Sequence, residues 1–174
     1  VTRPGFVDIG ALIENGEQFL AARHMAYSIK LFDKNNTLIA TKEGTGSLEP
    51  SERMLIFEAN IPIEKRTPGL VVVEPLAGDW TKKDPNPLSI KVLRAEPFLE
   101  ADPPHIEVDL KNEASVAYQN IEASVILLSG DEALGVTRTV IDRMAIGESK
   151  SLNLTWPQPI PHVTGAQVLI RQGR

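Results

Sequence analysis

The sequence predicts an all-β chain of two tandem β-sandwich domains, residues 1–84 and 85–174. Three observations carry this. Short apolar runs alternate with polar residues, which is the period of a strand with one buried face. The 13 prolines and 12 glycines are spread along 174 residues, which suits many strands joined by turns. The second half of the chain repeats the first, element by element. No stretch has the periodicity of a long amphipathic helix.

Taken in order, Phe6 to Asn15 reads as a strand closed by the turn pair Asn15-Gly16. Gln18 to Met25 fits either a short helical turn or the entry to the next strand. Ala26 to Glu43 is a hairpin. Tyr27, Ile29 and Leu31 alternate there with Ser28 and Lys30. Asp33 to Asn36 supplies residues that hydrogen-bond locally and tolerate left-handed backbone. Thr37 to Lys42 is the return strand, and Gly44 to Glu52 is a loop. Met54 to Ile63 is a strand expected to turn Leu55, Phe57, Ala59 and Ile61 to one face. Leu70 to Glu74 is a short apolar strand. Gly78 to Pro87 is polar and proline-containing, so the domain boundary is expected there. Leu88 to Pro97 opens the second domain. Asp102-Pro103-Pro104 breaks that strand before His105 to Asn112.

The repeat sets Asn15 against Asn112, and Tyr27, Ile29 and Leu31 against Ala123, Val125 and Leu127. That face of the hairpin is expected in the core. Leu38 and Thr41 meet Leu134 and Thr137. Leu48-Glu49-Pro50-Ser51-Glu52 meets Met144-Ala145-Ile146-Gly147-Glu148. Leu55 and Phe57 meet Leu152 and Leu154, and Val71 to Val73 meets Val168 to Ile170. Trp156 then falls on Ala59, on a core face. Leu88 to Pro97 has no counterpart before the first copy, so that copy's first strand is expected either upstream of Val1 or borrowed from elsewhere. The outer face of the hairpin differs: Lys30 and Phe32 become Ile126 and Leu128. An apolar outward face needs cover. Ile126, Leu128, Phe32 and Trp80 are therefore the candidate interaction surface. Trp80 at the boundary either pins the two domains or forms a binding patch.

Composition narrows the partners. A net charge of −5 disfavours nucleic acid and anionic membrane surfaces. With no cysteine there are no disulfides, zinc thiolates or thiol nucleophiles. No apolar run approaches the ~18 residues of a spanning helix. His24, His105 and His162 do not pair at metal-ligand spacing, so no metal is expected. Asp33 to Asn36 reads as a turn rather than a calcium loop, since Leu38 and Gly44 stand where such a loop needs Gly and Glu, while Asp131-Glu132 in the equivalent turn of the second copy leaves calcium open. Gly44-Thr45-Gly46-Ser47 lacks the rest of a phosphate loop, and no G-x-S-x-G elbow is present. Glu58 and Glu64 read as solvated charge rather than a hydrolytic pair. No catalytic residue and no cofactor are assigned.

Ile29-Lys30-Leu31-Phe32-Asp33 resembles the signature of FxLYD-type domains. Leu48-Glu49-Pro50-Ser51-Glu52 is similar to the Leu-x-Pro-Gly-Glu turn of that group, with Ser51 at the glycine. The second copy departs at Leu128-Ser129 but restores Gly147-Glu148. The chain as a whole resembles tandem Ig-like exported proteins of bacteria. This resemblance implies immunoglobulin- or fibronectin-III-like sandwiches with no catalytic residues to carry over. It also implies an extracytoplasmic place, at the cell surface or in the periplasm, reached through a membrane anchor outside this chain. The expected function is a non-enzymatic structural spacer or protein-interaction module, with a protein partner or self-association. The alternative is a carbohydrate- or small-ligand-binding module using loop aromatics such as Trp80.

Overall fold

A computed structural model describes residues 2–173. The described residues are all-β, with four antiparallel sheets and no helix. The chain divides into two compact units, Val1–Asn86 and Pro87–Arg174.

The first unit contains β1 (Thr2–Arg3), β2 (Phe6–Glu14), β3 (Leu20–Asp33), β4 (Leu38–Leu48), β5 (Arg53–Pro62), β6 (Pro68–Ala77) and β7 (Trp80–Lys82). One sheet has the order β1-β2-β5, the other β4-β3-β6, with β7 also on β3. Because successive side chains alternate across a strand, Tyr27, Ile29 and Leu31 all point inward. They share one core with Val7 and Ile9 of β2 and Met54, Ile56 and Ile61 of β5. The ambiguity over Gln18 to Met25 resolves as strand, since β3 already begins at Leu20.

Two expectations are corrected here. Along β5 it is Met54 and Ile56, then Ile61, that enter the core, while Ala59 is exposed. The cause is a bulge. The β2–β5 register slips between Val7 and Ile9. Asn60 sits at φ 58° and donates its amide to Asp8 Oδ1 at 2.8 Å. One extra residue flips the alternation, so both ends of the strand feed the same core. The second correction concerns Gly78 to Pro87, which is not wholly a connector. Trp80–Lys82 pairs with Leu20–Ala22. β6 and β7 thus run along the same edge of β3, interrupted at Gly78-Asp79, where the Arg23 amide donates to Asp79 O at 3.1 Å.

The second unit contains β8 (Ile90–Phe98), β9 (His105–Asn112), β10 (Tyr118–Ser129), β11 (Glu132–Met144), β12 (Ser149–Thr155) and β13 (Gly165–Gln172). Its sheets are β12-β9-β8 and β11-β10-β13. Ile106, Val108, Leu110, Ile121, Ala123, Val125 and Leu127 are fully buried. Trp156 is buried as well, its Nε1 donating to Val136 O at 3.3 Å.

Strand pairing corrects the register of the repeat. Leu31 faces Ala40 and Val71, whereas Leu127 faces Gly135 and Ala166. The matches of Leu38 to Leu134, Thr41 to Thr137 and Val71 to Val168 are therefore displaced. The reason lies in the hairpin tips. Ser129 pairs directly with Glu132, but in the first unit the Asp33 amide reaches Thr37 O. The second loop is one residue tighter. Both units nevertheless slip register at the same point, after Leu31 and after Leu127. On β5, Arg53 faces Glu14 as Ser149 faces Lys111, which sets Ile56 rather than Leu55 against Leu152. Trp156 does not correspond to Ala59. Its amide donates to Pro104 O, near the place where Ile61 pairs with Val7 in the first unit.

Candidate interaction surfaces

Each unit has a buried asparagine at the end of the central strand of one sheet, Asn15 just after β2 and Asn112 as the last residue of β9. Asn15 Nδ2 donates to Leu20 O (2.7 Å) and Glu49 O (2.8 Å), and its Oδ1 accepts the Glu17 amide (3.0 Å). Asn112 Nδ2 donates to Val116 O and Ala145 O, both at 2.9 Å, and its Oδ1 accepts the Ala114 amide at 3.0 Å. A glutamate closes each turn: Glu52 Oε2 accepts the Glu49 amide, and Glu148 Oε2 the Ala145 amide. Ser51 (φ 56°) and Gly147 (φ 69°) hold the same left-handed position. These residues tie loops to strand ends and satisfy buried polar groups. Their side chains are engaged in structure.

Phe32 lies on the outer face of β3, directly between Leu38 on β4 and Leu70 on β6. Leu38 and Leu70 are each about half exposed, at 48% and 49%. The three form an apolar triplet beside the hairpin tip. Leu38 and Leu70 were missed from sequence because only strand pairing brings them to Phe32. Two steps along β3 the outer face turns polar, with Lys30 Nζ 2.6 Å from Glu74 Oε2.

Ile126 and Leu128 lie in the other unit. Ile126 faces Val136 and Gln167 and is only 5% exposed, so the expected open apolar patch is already covered at this residue. Leu128 is partly buried, between Ala133 and Gly165. Trp80 is 51% exposed and faces Ala22 across β3. Ala22 and Phe32 lie ten residues apart on one strand, about 33 Å. Trp80 and Phe32 therefore belong to separate patches. Near the β7 end, Phe19, Leu20, Lys82, Lys83 and Asp84 line a shallow cleft of about 460 Å³.

The charged groups are mostly paired across strands. Arg94 Nε bonds Asp109, and its two terminal nitrogens bond Glu96 and Glu107, at 2.6–2.8 Å. The Ser151 hydroxyl, then Arg94, hold the Asp109 carboxyl below its usual range. The Asp33 carboxyl is lowered chiefly by the Thr37 amide, as expected of a turn. Glu58 accepts from the Tyr27 hydroxyl at 3.4 Å. His24 pairs with Asp79 at 3.3 Å, and His105 stacks on Phe98. Among the described residues, no three His, Asp or Glu side chains converge as metal ligands. None of their helices could cross a membrane, since there are none.

The outer edges of the two β-sheets built on β2 and β9 differ. β9 pairs with β8 from His105 to Asn112. Among the described residues, β2 pairs on that side only at Phe6 and Val7, with β1. From Ile9 to Glu14 it shows a partner only in β5. No protein-family model matches this chain, and no curated protein matches it as a relative.

Proposed function

We propose that the chain is a non-enzymatic extracytoplasmic module, a structural spacer or protein-interaction surface in the cell envelope, tethered to the membrane by an anchor outside this chain. In this reading each unit is an immunoglobulin- or fibronectin-III-like sandwich of FxLYD type. The observation that carries it is the duplicated frame. The same asparagine–glutamate turn recurs in both units, while apolar side chains are displayed outside the frame, above all Leu38 and Leu70 on either side of the partly buried Phe32. A rigid frame with conserved internal bonds and a variable outer face suits recognition, where binding energy concentrates in a few apolar side chains. The FxLYD-like residues also have structural reasons here. Leu31 fills the core, Phe32 faces outward and Asp33 closes the turn.

Protease accessibility tests this reading. Native protein in cells whose outer layer has been opened, but whose cytoplasmic membrane is intact, is expected to be cleaved. Protection until that membrane is lysed overturns it. The exposure of Trp80 and of Phe19 favours a second reading, a ligand-binding module. Quenching or shift of Trp80 emission by oligosaccharides, abolished in Trp80→Phe, would mark that role.

A further inference from the structure

We propose that Asn15-Gly16 is a modification site gated by the fold of the first unit. It stays intact while the asparagine clamp is closed. It deamidates once the unit opens, and the clamp then cannot re-form. The inference goes beyond the reading above and does not rest on it.

The chemistry lies in the dipeptide. The Gly16 amide nitrogen attacks Cγ of Asn15, and Nδ2 leaves as ammonia, taking the proton from the Gly16 nitrogen. The product is a succinimide ring. Water opens the ring at either carbonyl, giving aspartate or isoaspartate at this position. No oxidant and no cofactor take part. The step is fastest before glycine, whose missing side chain leaves the nitrogen accessible and the backbone free to bring it to Cγ. Asn15-Gly16 is the one Asn-Gly pair in the 174 residues, and the matching Asn112 is followed by Glu113. The glycine has no steric duty here. A Cβ added at Gly16 would meet nothing within 4 Å, and its backbone is not left-handed. The frame accepts a side chain at this place, as Glu113 does in the second unit.

The fold supplies the gate. Asn15 is only 3% exposed. Its Nδ2 donates to Leu20 O and Glu49 O, and its Oδ1 accepts the Glu17 amide. The Asn15 amide itself donates to Glu52 O at 2.9 Å. Cyclisation requires the side chain and the adjoining backbone to rotate together, which breaks these bonds, so the reaction waits on local opening. The product bars the way back. A carboxylate has no N–H for Leu20 O and Glu49 O, and it sets negative charge against both. Isoaspartate also lengthens the main chain by one methylene at the end of β2. Leu20 begins β3, and Glu49 lies between β4 and β5, so one event loosens both sheets of the first unit.

The test incubates the 174-residue chain at mildly alkaline pH, in buffer and in urea that unfolds the first unit. Peptide mass mapping then reads the conversion of each asparagine. In urea, Asn15 is expected to convert at least about tenfold faster than Asn112. It should also convert at least about tenfold faster in urea than in buffer. Gly16→Ala should keep or raise the urea midpoint of the first unit, and slow conversion in urea at least about fivefold. After dilution from urea, converted chains should lack amide protection in β3, while the emission of Trp156 recovers. Asn15→Asp should show the same split between units. Equal conversion in buffer and in urea removes the gate. Conversion of Asn112 as fast as Asn15 removes the site. Converted chains that regain β3 protection remove the one-way step. Each of these overturns the proposal, and so does Gly16→Ala converting as fast as the parent chain. The protease test of the envelope reading is independent of all these results.

Discussion

The two units share a frame and differ at its flank. Both place a buried asparagine at the end of a central strand, close the facing turn with a glutamate and a left-handed residue, and slip register at the same point of the hairpin. One flank is sealed by β8; among the described residues the other is open beyond Val7. The comparison separates what the module needs in order to fold from what a copy is free to change. The asparagine turn belongs to the first class. Outer-face chemistry belongs to the second.

If the turn is the common frame, breaking it should cost both units heavily. Asn112→Ala leaves two part-buried carbonyls and an amide without their partner, and should destabilise the second unit by about 3 kcal/mol, with Asn15→Ala costing the first unit a similar amount. Urea unfolding reads this. The emission of buried Trp156 follows the second unit, and the amide signals of β3 follow the first. A small effect in one unit alone would show that the two turns are not equivalent.

The flank should respond unequally. Leu110→Ala opens a cavity in a sealed core and should cost about 3 kcal/mol, whereas Ile13→Ala, at a partly buried site, should cost about half as much. Equal costs would mean that the first unit is sealed too.

At the turn itself the sign should reverse between units. Gly147→Ala forces a side chain into left-handed backbone and should destabilise by about 1 kcal/mol, while Ser51→Gly relieves that strain and should stabilise by up to about 1 kcal/mol. Shifts in the urea midpoint check both.

The smallest effect is on pH dependence. The folded-state carboxyl of Asp109 is depressed, so its contribution is present above the unfolded value of about 4 and is lost as pH falls through the lower folded value. Asp109→Asn should flatten the acid limb of the Trp156 unfolding curve. The first unit has Leu12 at the matching position, so no such acid limb is expected from that place.

Much of this frame was legible in the residues. Alternation put Tyr27, Ile29 and Leu31 inward, and the repeat set Asn15 against Asn112, although the sequence marked Asn15 only as a turn residue and not as a buried clamp. What could not be read was local geometry that alternation cannot report. The bulge at Asn60 inverted the face of β5, because one inserted residue leaves composition unchanged while reversing every side chain beyond it. The tighter tip at Ser129 displaced the later matches for the same reason. Trp80–Lys82 looked like connector because its neighbours are polar, yet pairing with Leu20–Ala22 makes it strand. Of the candidate surface, Trp80 is displayed, Phe32 and Leu128 are partly buried and Ile126 is covered. Exposure depends on cross-strand neighbours, which a linear reading does not supply.

The contrast between the flanks is tested most directly by amide hydrogen exchange in the free chain, comparing β2 with β9. Alternate amides between Ile9 and Glu14 should exchange rapidly, because their outward N–H groups meet water, while those from Ile106 to Leu110 stay protected on both edges. Uniform protection along β2, equal to that of β9, would contradict the account.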